Sequence, residues 1–134
     1  MTYVLDASAM IAYLRGEPGA DVVSGHLLEP ANQCVAHDIN MCEVYYDFYR
    51  TGGGLASDEA VRDLKAVGIR IRDNLSPSFW QAAGELKALQ RRISLADCFA
   101  VTLARTLGGT VLTCDHHEFD PLAEQSICTV VFIR

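Results

Sequence analysis

The chain has 134 residues, half of them apolar, which suits one compact domain with a real core. Eleven basic residues against 17 acidic ones leave a formal net charge of −6, so the molecule as a whole should repel nucleic acid, and any chemistry on a phosphate backbone must depend on metal and local basic residues. No apolar run approaches the roughly 20 residues that cross a bilayer, and the N-terminus, which reaches a charge at Asp6 without a basic lead, is unlike a secretory signal.

The apolar periods alternate between strand-like and helix-like, the pattern of an α/β fold with a largely parallel sheet. Residues 2–6, TYVLD, read as a short buried strand running into a helix over ASAMIAYLRG that Gly16 and Pro18 stop. A second helix is predicted over Ala20–Leu28 and a short strand over 33–36. The helix that starts near Asp38 and runs past Tyr49 to Arg50 ends at Gly52-Gly53-Gly54, where further helix is costly. Ser57 is the predicted N-cap of a helix reaching Ala66, with Asp58 and Glu59 in its first turn. A strand follows over 68–71. Pro77 opens a helix over 77–90 with Trp80, Ala83, Leu86 and Leu89 on one face.

After Ile93, a helix over 96–107 ends at Gly108-Gly109. Thr110–Thr113 and residues 129–133 are the last strands, with a loop after Asp115 that holds His116 and His117. No repeat, low-complexity tract or linker divides the chain, so one domain over 1–134 is expected. The cysteines, Cys34, Cys42, Cys98, Cys114 and Cys128, are scattered without CxxC spacing and read as small core residues of a reducing, cytoplasmic compartment.

Four carboxylates need an explanation. Asp6 stands at the carboxyl end of the first strand and Asp115 just past the Thr110–Thr113 strand, the edge at which open α/β sheets bind ligands. Glu43 and Asp97 lie near the starts of helices, which can bring them to the same edge. Asp97 sits in a helix that is apolar nearly all round, and a buried carboxylate is expensive unless it is paired or metal-bound.

Each acid also has a purely structural reading. Ser94 with Asp97, and Asn40 with Glu43, have capping-box spacing; Asp6 can cap the first helix and Asp115 can serve a turn. Converging together, charges about 4 Å apart would repel by roughly 4 kcal/mol per pair at an effective dielectric of about 20. Such a cluster must bind protons or cations, and its hard oxygen ligands suit Mg²⁺ or Mn²⁺.

Val4-Leu5-Asp6-Ala7-Ser8-Ala9, then Asn40-Met41-Cys42-Glu43-Val44, then Ser94-Leu95-Ala96-Asp97-Cys98-Phe99-Ala100, then Leu112-Thr113-Cys114-Asp115 followed by Phe119 form an ordered set. This set resembles the motifs of PIN domains, most closely those of VapC-type toxins from type II toxin–antitoxin pairs, and it covers essentially the whole chain. The resemblance implies a three-layer α/β/α sandwich with a parallel, roughly five-stranded sheet. It also implies ribonuclease activity dependent on Mg²⁺ or Mn²⁺, with Asp6, Glu43, Asp97 and Asp115 as the catalytic, metal-binding acids and Ser8 and Thr113 as hydroxyl supports. A toxin role would bring RNA as substrate, a cognate antitoxin that inserts a basic side chain into the acidic pocket, and a homodimer.

One departure stands out. Family members often carry an Asp directly before the Phe of the last motif, whereas this chain has His116-His117-Glu118-Phe119. Whether Glu118 helps to hold metal is left open, and His116 and His117 read either as nitrogen ligands or as a solvated pair.

Substrate contact needs local positive charge, for which Arg15, Lys87, Arg91 and Arg92 are the candidates; each also reads as an ordinary surface charge. Tyr45, Tyr46, Phe48 and Tyr49 could stack bases or form core or partner surface. The competing reading is a non-catalytic PIN-like module that holds metal or a partner, against which the intact acids argue. A phosphoryl-accepting receiver or phosphatase would want an adjacent acidic pair or an Asp-x-Asp at the first strand, and Asp6-Ala7-Ser8 is neither.

Overall fold

The computed structural model describes all residues, Met1–Arg134. In chain order the elements are β1 (Thr2–Leu5), α1 (Ala7–Arg15), α2 (Ala20–Leu28), β2 (Gln33–His37), α3 (Asp38–Ala66), β3 (Arg70–Arg72), α4 (Pro77–Leu89), α5 (Leu95–Leu107), β4 (Thr110–Thr113), α6 (His116–Glu124) and β5 (Thr129–Phe132). The strands form one five-stranded sheet in the order β3-β2-β1-β4-β5, and every neighbouring pair is parallel. Parallel neighbours need crossovers, and here helices supply all of them, so both faces of the sheet are covered.

Strand alternation sorts the apolar side chains into two cores. Tyr3 and Leu5 of β1, Cys34 and Ala36 of β2 and Leu112 of β4 face one core, which Met10, Val23, Val44 and Leu64 fill from α1, α2 and α3. Val4, Val35 and Val111 face the other, filled by Phe79, Leu86, Leu103, Phe119 and Leu122 from α4, α5 and α6. The result is the expected α/β/α layering.

The winding reverses between β3 and β4. As a consequence, the adjacent strands β1 and β4 send their following helices, α1 and α6, to opposite faces, which opens a crevice at their carboxyl ends. That crevice positions the site described below.

The structure corrects several local expectations. The segment after Asp115 is helix α6 rather than a loop: Asp115 caps it by accepting the Glu118 N–H at 3.0 Å, and Phe119 and Leu122, three residues apart, are both buried. Burial of these two side chains outweighs the backbone donor lost at Pro121.

At the glycine triplet the first helical run of α3 ends, as expected. Only Gly53 leaves helical geometry, with φ 82° and ψ −177°, and α3 resumes beyond this kink to Ala66. The second run begins ahead of Ser57, which is therefore buried inside that run instead of capping it, and its hydroxyl donates to the Gly54 carbonyl at 2.9 Å.

On α4 the buried stripe is Phe79, Ala83 and Leu86, while Trp80 and Leu89 are exposed, because the helix sits rotated from the phase that the sequence suggested. All cysteines are free; Cys34 and Cys98 are buried and Cys114 and Cys128 half-buried, but Cys42 is exposed and is not a core residue. No helix is long and apolar enough to cross a membrane.

Candidate active site

Asp6 leaves β1 at the crevice and is 1% exposed. Its Oδ1 accepts the Ala9 N–H at 2.9 Å, which caps α1, and the Ser8 hydroxyl at 2.7 Å, while Oδ2 accepts the Thr113 hydroxyl. The same two hydroxyl oxygens receive backbone donors from the end of β4: Cys114 N–H donates to Ser8 Oγ at 3.1 Å and Asp115 N–H to Thr113 Oγ1 at 3.0 Å. Ser8 and Thr113 thus stitch the ends of β1 and β4 together through the Asp6 carboxylate.

Asp97 is placed by the cap of α5. Ser94 Oγ accepts the Asp97 N–H at 3.2 Å, one half of a capping box. The other half does not come from Asp97, because the Ser94 N–H donates to Glu118 Oε1 at 2.6 Å. The Asp97 carboxylate is free to turn toward α6, and Asp97, Asp115 and Glu118 each offer a carboxylate oxygen within 4.8 Å of the others.

Glu43 has a different anchor. His37 caps α3 by accepting the Ile39 N–H on Nδ1 at 3.1 Å, and its Nε2 is 2.8 Å from the Asn74 carbonyl. Asn40 is therefore not a helix cap. Its buried amide nitrogen lies 3.3 Å from Glu43 Oε2, 3.3 Å from the Ala96 carbonyl and 3.4 Å from Asp97 Oδ1, so it bridges the acids of α3 and α5. Asn40 Oδ1 is buried without a partner.

Asp6, Glu43, Asp97, Asp115 and Glu118 all line one open pit of about 410 Å³. Burial pushes the Asp97 carboxyl up to about 10, helped by its hydrogen bond with Glu118 and by the charges of Asp6, Glu118 and Glu43. Burial also pushes Asp6 up to about 6, against the hydrogen bonds from Thr113, Ala9 and Ser8 that favour its charged form. Glu43 is raised by burial and by Glu118, and the Asn40 amide partly offsets this. Carboxylates crowded and buried in this way favour a shared proton or a bound cation. The pit's donors are hard carboxylate oxygens, the set that fits a divalent cation such as Mg²⁺ or Mn²⁺.

The PIN domain family matches residues 3–124. The chain belongs to the PIN-domain family.

Solved structures with the same fold include VapBC2 from Rickettsia felis bound to a DNA fragment from their promoter (16% identity, TM-score 0.75, 98% of each chain covered). VapBC-1 from nontypeable Haemophilus influenzae is similar at 20% identity and a TM-score of 0.74, with 99% of this chain and 98% of that one covered. Mycobacterium tuberculosis VapC20, a sarcin-ricin loop cleaving toxin, is similar at 13% identity and a TM-score of 0.70, over 89% of this chain and 94% of that one. No curated protein matches by sequence.

In this PIN domain the structure places Asp6, Glu43, Asp97 and Asp115 around one pit, but the tightest trio contains Glu118 in place of Asp6 and Glu43. The sequence signal for Glu118 was its place directly before Phe119, where family members often carry Asp; the structure adds that it lies in the first turn of α6, capped by Asp115. Asn40 was hidden because its spacing from Glu43 also suits a capping box.

The basic candidates differ in placement. Arg15 is held 2.8 Å from Asp47 Oδ2 and 3.2 Å from Thr51 Oγ1, with its guanidinium 4.6 Å from the Phe48 ring centre. Lys87 instead donates to the carbonyls of Arg91 and Ile93 at 3.0 and 2.7 Å, which secures the turn before α5. Arg91 and Arg92 are exposed on that turn.

His116 stacks on Phe132 at 4.0 Å and contacts Asp120 Oδ1 and the Arg134 carbonyl with its two ring nitrogens, so neither is spare for a metal. The Arg134 carbonyl and Asp120 raise its pKa. His117 is exposed.

Proposed function

We propose that this PIN domain, spanning residues 1–134, is a Mg²⁺- or Mn²⁺-dependent endoribonuclease and the toxin of a type II toxin–antitoxin pair. The observation that carries the nuclease reading is the convergence of Asp6, Glu43, Asp97, Asp115 and Glu118 on one pit at the switch point of the sheet. Surface acids occur without metal. A buried Asp97 facing two further carboxylates is a costlier arrangement, and a function that needs a cation explains it.

Asp97, Asp115 and Glu118 would hold the metal directly, and Asp6 and Glu43 would complete the acidic surround. A bound divalent cation supplies Lewis acidity: it makes a water more acidic and neutralises charge on the phosphate. The protein contributes the rest. Ser8, Thr113 and the Ala9 N–H fix the orientation of Asp6, and Asn40 holds Glu43 beside Asp97. Glu43, away from the tight trio, orients water for in-line attack at phosphorus. A P–O bond would form to the water oxygen as the water gives a proton to a pit carboxylate, while the opposite P–O ester bond breaks and the departing oxygen takes up a proton.

RNA as substrate is supported by family membership and by the similar fold of VapC20, a toxin that cleaves the sarcin-ricin loop. The toxin role and an antitoxin partner are supported by the similarity to VapBC proteins and to a toxin–antitoxin complex from Klebsiella pneumoniae, and a homodimer in the cytoplasm belongs to the same proposal.

The test is cleavage of a mixed RNA pool with Mg²⁺ or Mn²⁺, with and without chelator, by wild type, Asp6→Ala and Asp97→Asn. Cleavage that needs metal and is lost in both folded variants is expected. Activity that persists in either variant would sink the site, and no cleavage by metal-loaded wild type would sink the enzyme reading.

A further inference from the structure

Glu43, Tyr46, Asp47 and Arg50 fall at i, i+3, i+4 and i+7 of α3, so they share one face of that helix. Glu43, Tyr46 and Asp47 line the acidic pit, which makes this face a path leading outward from the carboxylates. Tyr46 is 63% exposed, although a tyrosine ring on a helix is usually worth burying. Tyr45 and Tyr49 stack on each other with ring centres 6.1 Å apart, and Phe48 packs on the core. Tyr46 is the aromatic left open at the pit.

Positive charge is gathered beside it. Asp47 holds the Arg50 guanidinium at 2.7 Å and the Arg15 guanidinium at 2.8 Å, so two cations share one anion and this group of three carries one positive charge in excess. The Arg50 guanidinium also lies 5.9 Å from the Tyr46 ring centre. In a chain of net charge −6, a cationic rim next to an acidic pit is local and ordered.

We propose that Tyr46 stacks an unpaired RNA base next to the cleaved phosphate, while Arg50 and Arg15 hold a neighbouring phosphate. Such a contact needs an unpaired base, because a base inside a duplex has both faces covered by its neighbours and cannot offer one to the ring. A guanidinium beside an aromatic ring suits this pairing of phosphate and base, since the two recognise adjacent parts of one nucleotide. Asp47 fixes the arginines toward the strand and limits indiscriminate binding. This assignment rests on the nuclease reading of the pit and adds the side chains that grip the strand beside it.

The test compares wild type, Tyr46→Ala, Tyr46→Trp and Arg50→Ala in Mg²⁺ on one RNA sequence as a single strand and as a duplex. A second readout is the fluorescence of a short single-stranded RNA in which 2-aminopurine is moved through successive positions. Tyr46→Ala is expected to raise KM about tenfold, to leave kcat within about twofold, and to abolish quenching at one position. Tyr46→Trp should retain all three properties, and Arg50→Ala should raise KM and flatten its salt dependence by about one phosphate contact.

Unchanged KM and quenching in Tyr46→Ala, or equal cleavage of strand and duplex by wild type, would overturn the proposal. Loss of a protein partner's binding in Tyr46→Ala with RNA affinity unchanged would overturn it in favour of a protein-docking face. If wild type cleaves nothing yet quenches in a Tyr46-dependent way, the nuclease reading fails while the base-stacking surface stands.

Discussion

The Ser94 N–H donates to Glu118 Oε1 at 2.6 Å, so the helix that carries Asp97 is capped by a carboxylate from a helix that follows β4. One side chain therefore serves both the N-terminus of α5 and the oxygen trio with Asp97 and Asp115. Glu118→Gln keeps the acceptor and removes the charge. It should weaken Mn²⁺ binding by roughly tenfold with little loss of stability. Glu118→Ala should in addition lower stability by about 1 kcal/mol, because the Ser94 N–H loses its partner. Calorimetric Mn²⁺ titration beside denaturant unfolding separates the two effects, and wild-type Mn²⁺ affinity in Glu118→Gln would reduce Glu118 to a cap.

Asn40 joins α3 to α5 by contacting both Glu43 and Asp97 from a fully buried position. Asn40→Ala should cost about 1–3 kcal/mol, the range for removing a buried hydrogen-bonding partner. Released from the amide, Glu43 should orient water poorly, so kcat is expected to fall by about tenfold at saturating metal. Asn40→Asp sets a further carboxylate among the acids and should lower stability more at pH 8 than at pH 5. Equal kcat in wild type and Asn40→Ala would limit Asn40 to a structural role.

Thr113 donates to Asp6 and accepts from the Asp115 N–H. Thr113→Val preserves shape but removes both bonds, with an expected loss of about 2–3 kcal/mol, whereas Thr113→Ser should stay close to wild type. Because the Thr113 hydroxyl favours the ionised form of Asp6, its loss should raise the Asp6 pKa above about 6. Carboxyl-carbon NMR titration of Asp6 reads that shift directly, and an unchanged titration would argue that the hydroxyl bonds elsewhere.

Asp6 and Asp97 are both raised in the folded chain, to about 6 and about 10 from a model-compound value of 3.8. A carboxyl that binds its proton more tightly when folded adds stability that is fully present below pH 3.8 and is lost as pH rises through the folded pKa. Metal-free protein should therefore lose stability from about pH 4 to about pH 6 through Asp6 and Asp97 together, and from there to about pH 10 through Asp97. A fall in Tm of about 4 °C or more between pH 5 and pH 8 is expected in chelator. Added Mg²⁺ should reverse most of it at pH 8 with release of protons, and a Tm that rises with pH in chelator would refute this account.

The sequence carried the α/β class, most element positions and the acids at strand ends, because strand and helix periods and caps are local properties. Asp6 and Asp115 show why: each is both a helix cap and a pit residue, so the structural and functional readings of one signal coincided. Local reading failed where packing decided. Helix α6 exists because Phe119 and Leu122 reach a core built by other elements, and Trp80 lies outside because α4 is rotated to bury Phe79. The aromatic run on α3 divides between the core at Phe48 and the open ring of Tyr46 for the same reason.

Sequence by itself determined which acids stand at chain positions that a parallel sheet can bring to its carboxyl edge. Only the tertiary structure decided which of them touch. Glu118 closed the trio with Asp97 and Asp115, Asn40 bridged Glu43 to Asp97, and Asp6 was tied to Thr113 across 107 positions. Hydrogen bonds and ionic repulsion between oxygens fall off within a few ångströms, and separations on that scale are set by how α3, α5 and α6 pack on the sheet, a quantity that no spacing along the chain encodes.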